Sequence, residues 1–498
     1  MEWRESIRGE SDLIEERFDS LATIEDKQGN AFPPRFKRTA TPAELQDDYD
    51  HLDDDTWSGD THRTAGRIKL KRDLGQIAFV DIEYDGETVQ LYFQAEELDD
   101  YDLLDEYDLG DYVGVEGEMM KTQTGEVSED VREHRMLSKS LRPLPDKYHG
   151  VKDTETRYRK RYLDLMMNDD VRETLRNRSK IIRFVRDYFD EHGFLEVETP
   201  MLHNIYGGAA AKPFTTYHND LDQELYLRVS PELYLKRLLV GGYTKVFEVN
   251  KSFRNESIDT THNPEYTMLE AYQAFADYED MMDITEQVFA GAAKHIHGTT
   301  EVEYDGDMID FAPPWPRVTM LESIEDHVGI KAGEMSEDEL ATFCDEHGYE
   351  LDKKPCWGNY VQLIFEEECE ETYTQPTFIT DHPQSTIPLC KQTEYDDRLI
   401  ERFEPICAGM EIANAYSELN DPVKQRELLV DQAQQRADGD EEAHPLDEDF
   451  LEAMEHGMPP AGGLGIGIDR MAMLLLDQQS IKDVILFPAM KDKEGTDE

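Results

Sequence analysis

The chain has 498 residues, of which 51 are Lys or Arg and 111 are Asp or Glu, giving a formal net charge of −60. Hydrophobic residues make up 38% and aromatic residues 10% of the chain, so the composition excludes a disordered acidic protein. No stretch approaches the roughly 20 apolar residues of a membrane helix, and the first residues lack the pattern of a secretory signal. We therefore expect a cytoplasmic protein of two or three domains with no membrane partner.

The acidic residues are spread along the chain, with local crests at 47–60, 97–108, 366–371 and 440–449. At low ionic strength such a charge destabilises the compact state, whereas molar salt shortens the Debye length to roughly 3 Å. An acidic interaction tail is the alternative, but a tail would form one block. The composition therefore favours an extreme halophile, and it does not exclude a local RNA site that relies on stacking and hydrogen bonds.

The cysteines are too dispersed for a metal or disulfide framework. They are Cys344, Cys356, Cys369, Cys390 and Cys407, with no CxxC pair among them. This spacing predicts reduced thiols.

Residues 1–60 form a polar, acidic N-terminal extension that is partly helical, with one amphipathic pattern at 11–23. Short strand patterns then follow at 66–70, 75–82, 89–93, 111–117 and 136–141. Five short strands separated by turns are typical of a small closed β-barrel, of which the oligonucleotide-binding (OB) barrel is the commonest form. We expect this barrel at 61–145, ended by the proline-containing linker 142–146, and a second domain at 146–498.

The second domain begins with a helical pattern over 171–192, and Gly193 is a natural stop. Its apolar stripe comprises Val171, Leu175, Ile182, Val185 and Phe189. Strand and helix patterns then alternate without the regularity of βαβ units, which favours an α+β domain.

Residues 245–276 are predicted to form a β-hairpin with a largely polar face. Its first strand places Val246, Glu248, Asn250, Ser252 and Arg254 on that face, and its return strand adds Tyr266, Met268, Glu270 and Tyr272. The loop 255–263 carries Glu256 and His262. Such a face either meets water or lines a cleft, and the pattern alone does not decide between them.

A second polar segment runs from Glu404 to Glu418. Asn414, Tyr416 and Glu418 alternate and share one strand face, whereas Glu411 is out of phase and needs a bulge or strand start to join them. In a chain this acidic, clustered carboxylates alone are weak support for a metal site.

A glycine-rich segment at 462–467 leads into a helical pattern. Glycines allow close approach of a flat ligand, and Asp469 is a candidate helix cap. Arg470 in the first turn is unfavourable for the helix dipole and needs an anion, a role that a phosphate would fill. Neither GxxxxGK[ST] nor GxGxxG is present.

Together these segments resemble the class II aminoacyl-tRNA synthetases. Residues 194–200 resemble motif 1, 253–256 with their hairpin resemble motif 2, and 465–470 resemble motif 3. Further stretches resemble the lysyl-tRNA synthetases in particular; they are 207–214, 231–237, 262–268, 414–418 and 483–488. The resemblance covers roughly residues 60 to 490.

The resemblance implies an OB-type barrel followed by a catalytic domain built on an antiparallel sheet with flanking helices. It also implies a homodimer formed through 194–200 and ligation of L-lysine to the 3′ end of tRNA(Lys). The reaction would pass through lysyl-adenylate, made from ATP with release of pyrophosphate. The aspartyl and asparaginyl enzymes are similar but usually lack Asn255 and the Gly-Gly-Ala-Ala-Ala loop that begins at Gly207.

For the nucleotide, the resemblance implies that Arg254 binds the α-phosphate and Arg470 the γ-phosphate, as the catalytic pair. Tyr266 takes the position of the aromatic residue that stacks on adenine. The remaining residues expected near the nucleotide are Glu256, His262 and Asn263, and the pair expected to bind Mg2+ is Glu404 and Glu411.

For lysine, the resemblance implies that Glu232 and the backbone of Gly208 bind the α-ammonium. Tyr272 and Glu418 would hold the ε-ammonium. The carboxylate would bind Asn414, and Glu270 and Tyr416 would complete the pocket. Because a buried carboxylate rejects analogues that lack the amine, we expect no separate editing domain.

In the barrel, Phe79 is a candidate to stack on an anticodon base, with Arg72 and Gln90 as further contacts. The alternative places Phe79 in the barrel core. Two other functions are weighed: a non-catalytic RNA-binding protein with a decayed site, and an enzyme that modifies a protein lysine. The matched arginines and carboxylates argue against the first, and the barrel argues against the second.

Overall fold

The computed structural model describes residues 2–145, 151–351, 353–439 and 443–492. The chain forms two compact units, residues 1–169 and 170–498, and each is described by itself. Asp146, where the sequence places the linker end and the start of the second domain, lies outside the described residues. The boundaries expected at 60/61 and 145/146 therefore remain predictions.

The first unit contains a five-stranded barrel with helices before and after it. The helices are α1 Glu2–Arg8, α2 Asp12–Gln28, α3 Pro42–Tyr49, α4 Thr154–Arg159 and α5 Arg161–Met167. The strands are β1 Thr56–Asp73, β2 Ile77–Tyr84, β3 Glu87–Gln94, β4 Tyr112–Lys121 and β5 Val127–Ser138, with a 3-10 turn at Tyr101–Glu106. The strand order β1-β2-β3-β5-β4 closes because β4 pairs with β1, so the predicted barrel is confirmed.

Two predictions in this unit need correction. The last strand begins at Val127, well before the predicted 136. The sequence pattern missed this start because buried charged residues such as Glu129 and Asp130 interrupt the apolar alternation. The acidic N-terminal segment is also more than a polar extension. Ile24 of α2 and Leu45 of α3 are buried in the same hydrophobic cluster as the barrel interior.

The second unit contains the remaining elements. Its helices are α6 Asp169–Glu191, α7 Glu232–Val240, α8 Tyr278–His297, α9 Met320–Val328, α10 Glu337–His347, α11 Trp357–Glu368, α12 Pro422–Ala437, α13 Glu448–Glu455, α14 Ile468–Leu475 and α15 Ile481–Val484. Its first strands are β6 Leu195–Glu196, β7 Leu202–His203, β8 Thr215–His218, β9 Gln223–Leu227, β10 Lys245–Phe253 and β11 Glu265–Ala274. The rest are β12 Glu301–Tyr304, β13 Asp307–Asp310, β14 Arg317–Thr319, β15 Thr377–Pro383, β16 Leu399–Cys407, β17 Met410–Glu411, β18 Ala413–Ser417 and β19 Ala461–Gly467. Short 3-10 turns lie at Ala332–Glu334, Glu370–Thr372 and Gln384–Thr386.

A nine-stranded sheet organises this unit. Its order is β14-β15-β16-β18-β19-β11-β10-β6, and β17 pairs with β16. Only the edge pairs β10–β6 and β14–β15 are parallel, so the expected antiparallel catalytic sheet with flanking helices is confirmed. β12–β13 and β7-β9-β8 form two smaller sheets.

One face of the large sheet is apolar and covered by helices. Phe247, Leu269 and Leu464 point to this face and are buried with residues of α6, α8 and α14. Because side chains alternate along a strand, the intervening residues must point to the other face, which carries the polar groups described below.

Helix α6 ends as expected, but its buried stripe differs at one position. Gly193 adopts φ 78°, and its N–H bonds the carbonyl of Asp190. Ile181 is buried in the core, whereas the predicted Ile182 is only partly buried against it. Both positions satisfy a 3.6-residue period within one residue, so periodicity alone could not separate them.

No helix in the described ranges combines the length and apolarity required to cross a membrane.

Candidate active site

The β10–β11 hairpin supplies the floor of a cleft. Glu248 pairs with Glu270 and Ser252 with Tyr266, so these side chains lie on the same sheet face as predicted. β19 continues the floor, with Gly465 opposite Glu270. The sequence pattern left open whether the polar face of this hairpin meets water or lines a cleft. In the structure, residues of this face line a cavity, so the second alternative is correct.

The cleft has two connected ends. One end is lined by all six residues that the sequence assigns to the nucleotide, namely Arg254, Glu256, His262, Asn263, Tyr266 and Arg470. The other end is lined by most of those assigned to lysine, namely Gly208, Glu232, Glu270, Tyr272, Asn414 and Tyr416. Arg254, Met268, Glu411, Asn414 and Gly465 line both ends. A ligand at one end therefore lies against the same residues as a ligand at the other.

Arg254 follows directly after β10 at the junction of the two ends. Its guanidinium lies 5.4 Å from the centre of the Tyr266 ring. Its Nε is buried and has no hydrogen-bond partner within the described part of the chain. Although burial opposes the charge, Tyr266, Glu256 and Glu411 raise the pKa of Arg254. A partly buried, charged and incompletely bonded guanidinium is suited to bind an anion.

Arg470 projects into the nucleotide end from the first turn of α14. Its Nη1 donates to the backbone oxygen of Glu411 at 2.6 Å, and its Nη2 lies 3.2 Å from Nε2 of His262. His262 is in turn held by Asp259, whose carboxylate lies 2.9 Å from Nδ1 of the imidazole. These contacts fix the Arg470 guanidinium and the His262 imidazole at the nucleotide end of the cleft.

A break in the strand brings Glu411 into the site. β17 ends at Glu411 and β18 begins at Ala413, with the N–H of Ile412 bonded to the carbonyl of Pro405. The irregularity shifts Glu411 into the cleft despite its sequence phase. This is the strand start that the alternation pattern required but did not reveal.

Glu404 lies on β16 and, like Glu411, lines the end of the cleft that contains the residues assigned to lysine. This end is called the acidic end below. Burial raises the pKa of Glu404 to about 8, although an ion pair with Arg402 opposes this. Arg402 also donates from Nε to Oδ1 of Asn414 at 3.1 Å. Arg402 therefore orients two of the predicted site residues.

The Glu404–Glu411 pair fits a magnesium ion that is held partly by phosphate. Within the described ranges, no group of three or more His, Cys, Asp or Glu is arranged as a complete metal cage. Mg2+ usually takes one or two protein carboxylates and completes its shell with water and substrate phosphates. Two hard oxygen donors beside a cleft with two arginines match this pattern.

Asp469 does not cap α14 as predicted. The cap residue is Gly467, and the Asp469 carboxylate instead accepts from the N–H of Thr267 at 2.7 Å and from Nη2 of Arg178 at 2.6 Å. Asp469 thus ties β11 to α14 and α6. The sequence did not identify Arg178, because it lies far from both partners along the chain.

Asn263 lines the nucleotide end, but both ends of its amide are already engaged. Its Nδ2 donates to the carbonyl of Glu265 at 2.6 Å, and its Oδ1 accepts from the N–H of Ala489 at 3.1 Å. These bonds anchor the backbone at Ala489 to the loop of the β10–β11 hairpin.

Three buried glutamates lie at the acidic end, namely Glu232, Glu270 and Glu418. Ser230 donates to Oε1 of Glu270 at 2.9 Å, and Tyr416 donates to Oε1 of Glu232 at 2.6 Å. Burial, followed by the charge of Glu232, raises the pKa of Glu270 to about 8. The end is therefore a site for cations.

Glu418 lies beside this end but is not among the residues that line it. It is fully buried, and its Oε2 forms an ion pair with the ammonium of Lys236. A Cβ atom at Gly463 would overlap the Glu418 carboxylate and crowd the Tyr272 ring. The bare glycine thus leaves Glu418 next to the cleft floor.

Gly208 also packs closely against its neighbours at this end of the cleft. It adopts φ 89°, and an added Cβ would approach the Cβ of Glu232 and the Oγ of Ser230 to 2.9 Å. Only glycine suits this position, which brings the backbone beside Glu232.

The barrel surface forms a separate candidate site in the first unit. Phe79 is only partly buried and stacks on Tyr92, with ring centres 5.1 Å apart and planes 25° from parallel. It does not belong to the barrel's buried core, which removes that alternative. Arg72 pairs with Phe79 across β1–β2 and lies 5.8 Å from its ring. Gln90 lies on the neighbouring strand but is mostly buried and accepts from Ser128.

Sequence reasoning missed Tyr92, Lys236 and Arg402. Tyr92 was detectable, because it lies two residues from Gln90 and so shares its strand face. Lys236 and Arg402 were not, since only the fold brings them beside glutamates on other elements.

The arrangement of this sheet and cleft is that of a class II tRNA synthetase. The family described as tRNA synthetases class II (D, K and N) matches residues 153–491, and an OB-fold nucleic acid binding domain matches 63–139. The chain is 48% identical to the lysine–tRNA ligase of Pelotomaculum thermopropionicum, over 97% of this chain and 96% of that protein. It is 47% identical to that of Carboxydothermus hydrogenoformans, over 97% and 99% of the two chains. It is 46% identical to the lysine–tRNA ligase of Halalkalibacterium halodurans, over 98% of each chain. The chain belongs to the lysine–tRNA ligase family.

Proposed function

We propose that this chain ligates L-lysine to the 3′ end of tRNA(Lys), through lysyl-adenylate formed from ATP. The observation that carries this proposal is Arg254, which lines both the nucleotide end and the acidic end of one cleft. A phosphate bound by Arg254 is thereby brought next to the carboxylate of an amino acid whose ammonium groups lie among the glutamates.

The chemistry requires positioning more than proton transfer. The lysine carboxylate is already ionised, so it attacks the α-phosphorus and pyrophosphate leaves, without a protein nucleophile. Arg254 neutralises the α-phosphate and Arg470 the γ-phosphate, because a guanidinium forks onto phosphate oxygens. A hydroxyl of the terminal ribose of the tRNA then attacks the carbonyl carbon of the adenylate, so that the lysyl group is transferred to the ribose and AMP leaves.

The remaining nucleotide contacts come from the hairpin loop and β11. Tyr266 stacks on adenine, and Glu256, His262 and Asn263 lie near the adenine and phosphates. Asn263 acts mainly by anchoring the loop, since its amide is already bonded at both ends. Glu404 and Glu411 would hold Mg2+, which supplies charge neutralisation of the phosphates when bound.

The amino acid is recognised by its two ammonium groups. Glu232 and the Gly208 backbone bind the α-ammonium, and Glu418 with Tyr272 binds the ε-ammonium. Asn414 binds the carboxylate with the amide end that Arg402 leaves available. Glu270 and Tyr416 complete the pocket. An analogue without the ε-amine leaves Oε1 of the buried Glu418, the oxygen that Lys236 does not contact, without a partner, which costs roughly 1–3 kcal/mol.

The barrel reads the anticodon of tRNA(Lys). Phe79 and Tyr92 provide a stacking platform for bases, with Arg72 at its edge and Gln90 as a hydrogen-bonding group. Stacking suits a protein whose net charge is −60, because salt weakens phosphate contacts more than stacking.

The expectations of a homodimer, a cytoplasmic location and a halophilic source belong to the same proposal. Leu195, Met201 and Leu202 lie in and just after motif 1 and expose 46%, 47% and 46% of their surface, which suits an interface between two copies. Charging of tRNA takes place where proteins are made. The spread of acidic residues suits concentrated salt.

Lysine-dependent exchange of pyrophosphate into ATP tests this function. The purified chain in concentrated KCl with Mg2+ should catalyse exchange with lysine and with no other standard amino acid. Exchange with aspartate or asparagine instead would assign the chain to the sister activities. No exchange with any amino acid would favour a decayed, non-catalytic site.

A further inference from the structure

Lys236 is a fully buried cation that the proposed chemistry does not use. It lies on α7, one turn after Glu232, and its Nζ is 2.6 Å from Oε1 of Glu232. The same Nζ contacts Oε2 of Glu418, and the ring of Tyr416 is centred 5.5 Å away. One ammonium thus bridges the two carboxylates proposed to bind opposite ends of lysine.

The charges in this pocket match a diamino acid only if Lys236 is counted. Counted as formal charges, the carboxylates of Glu232, Glu270 and Glu418 and the ammonium of Lys236 sum to −2. A diamino acid brings two ammonium groups, and its carboxylate lies towards Arg254. Without Lys236 the formal charge of the pocket would be −3, one more negative charge than the two ammonium groups of the substrate balance.

The location of Lys236 indicates that its ammonium supports the carboxylates and does not compete with the substrate for the cleft. Glu232 and Tyr416 line the cleft, whereas Lys236 is not among the lining residues and is fully buried. Its ammonium therefore approaches the carboxylates from behind the wall. Although burial opposes its charge, Glu232 and Glu418 raise the pKa of Lys236, so it stays a cation.

Resting on the proposed function, we infer that Lys236 is a positioning and specificity-determining residue for the diamino-acid substrate. It holds the carboxylates of Glu232 and Glu418 in position from one ammonium, so that each meets one ammonium group of the substrate. It touches neither ATP nor the reacting carboxylate.

The test compares Lys236→Met, Lys236→Gln and Lys236→Arg in lysine-dependent pyrophosphate exchange. The two neutral variants should raise the KM for lysine by about tenfold or more, which corresponds to ~1.4 kcal/mol, and leave the KM for ATP within about twofold. Lys236→Arg keeps the charge and should lie closer to wild type. Lys294→Met, at an exposed position on α8, is the matched control.

Every outcome decides the matter. An unchanged or lowered KM for lysine in the neutral variants would overturn the inference, the latter because it would mean that Lys236 competes with substrate. A parallel rise in both KM values, or failure of all three variants to fold, would assign Lys236 a structural role only. If wild type itself shows no lysine-dependent exchange, the proposed function fails rather than this inference.

Discussion

The Glu418 carboxylate lies against Gly463, so closely that a Cβ atom at residue 463 would overlap it. Because paired residues share a sheet face, the missing Cβ of Gly463 leaves room for this carboxylate on the face of the sheet that Tyr272 shares. Gly463 pairs with Tyr272 on one side and Tyr416 on the other, which places both tyrosines around the same point.

Gly463→Ala should therefore damage lysine recognition. The added methyl group must displace Glu418 or the Tyr272 ring, and we expect the KM for lysine to rise by at least about tenfold, or ~1.4 kcal/mol. Steady-state pyrophosphate exchange measures this. Gly333→Ala is a suitable control, because its Cβ would meet only the tip of the Leu321 side chain. Normal lysine kinetics in Gly463→Ala would show that the position of Glu418 next to Gly463 does not matter for lysine binding.

Arg254→Ala and Glu418→Gln should separate the two ends of the cleft. Loss of the guanidinium should lower kcat by about a hundredfold or more, because transition-state charge goes unneutralised. Glu418→Gln should mainly raise the KM for lysine and leave the KM for ATP within about twofold. If Glu418→Gln left lysine use untouched, the assigned ε-ammonium site would be wrong.

Lysine binding should release a proton from Glu270. Its pKa of about 8 in the empty pocket means that Glu270 is largely protonated at pH 7, and an incoming ammonium favours the ionised form. The affinity for lysine should therefore increase as pH rises from 6 towards about 8. Titration calorimetry at pH 7 in buffers of different ionisation enthalpy would count the released proton. Glu270→Gln should abolish the buffer dependence; an identical buffer dependence in this variant would locate the proton elsewhere.

Phe79→Ala should weaken tRNA binding without affecting lysine activation. Base stacking on an aromatic side chain is worth about 1–3 kcal/mol, so the KM for tRNA in aminoacylation should rise roughly 5- to 150-fold. Tyr112→Ala removes an exposed aromatic residue from another barrel strand and serves as the control. Equal effects of the two substitutions would exclude a specific platform at Phe79.

The stability of the protein should increase with salt. Screening relieves the repulsion of a −60 chain, and each kcal/mol gained should raise Tm by roughly 1–3 °C for units of this size. Thermal unfolding at 0.1 M and 2 M KCl measures the effect, with an equal osmolarity of sucrose as the uncharged control. A Tm that falls or stays constant in KCl would remove the argument for adaptation to salt.

The sequence predicted most of the fold where local patterns were strong. The barrel, the β10–β11 hairpin and the polar face of that hairpin follow from period-two alternation, and α6 follows from its apolar stripe. The pattern failed where charge is buried, because Glu129 interrupts the apolar alternation near the start of β5. It also failed for the N-terminal helices, which contribute to the barrel core despite their acidic surface.

The site was predictable as a set of residues but not as a geometry. Glu411 required a strand break at Ile412 that no local pattern signals. Asp469 has the composition of a helix cap, yet it bonds Thr267 and Arg178, which only the tertiary fold brings near. Lys236 was missed for the same reason, since a buried lysine is identified by its partners and not by its neighbours in sequence.

The central claim is that one continuous cleft activates a diamino acid with ATP for transfer to tRNA. Aminoacylation of total tRNA with each labelled amino acid in concentrated KCl tests it most directly. The account predicts that lysine alone is attached, and that both Arg254→Ala and Glu418→Gln lower this charging, the latter recoverably at high lysine. Attachment of another amino acid, or of none by a folded protein with ATP and Mg2+, would contradict it.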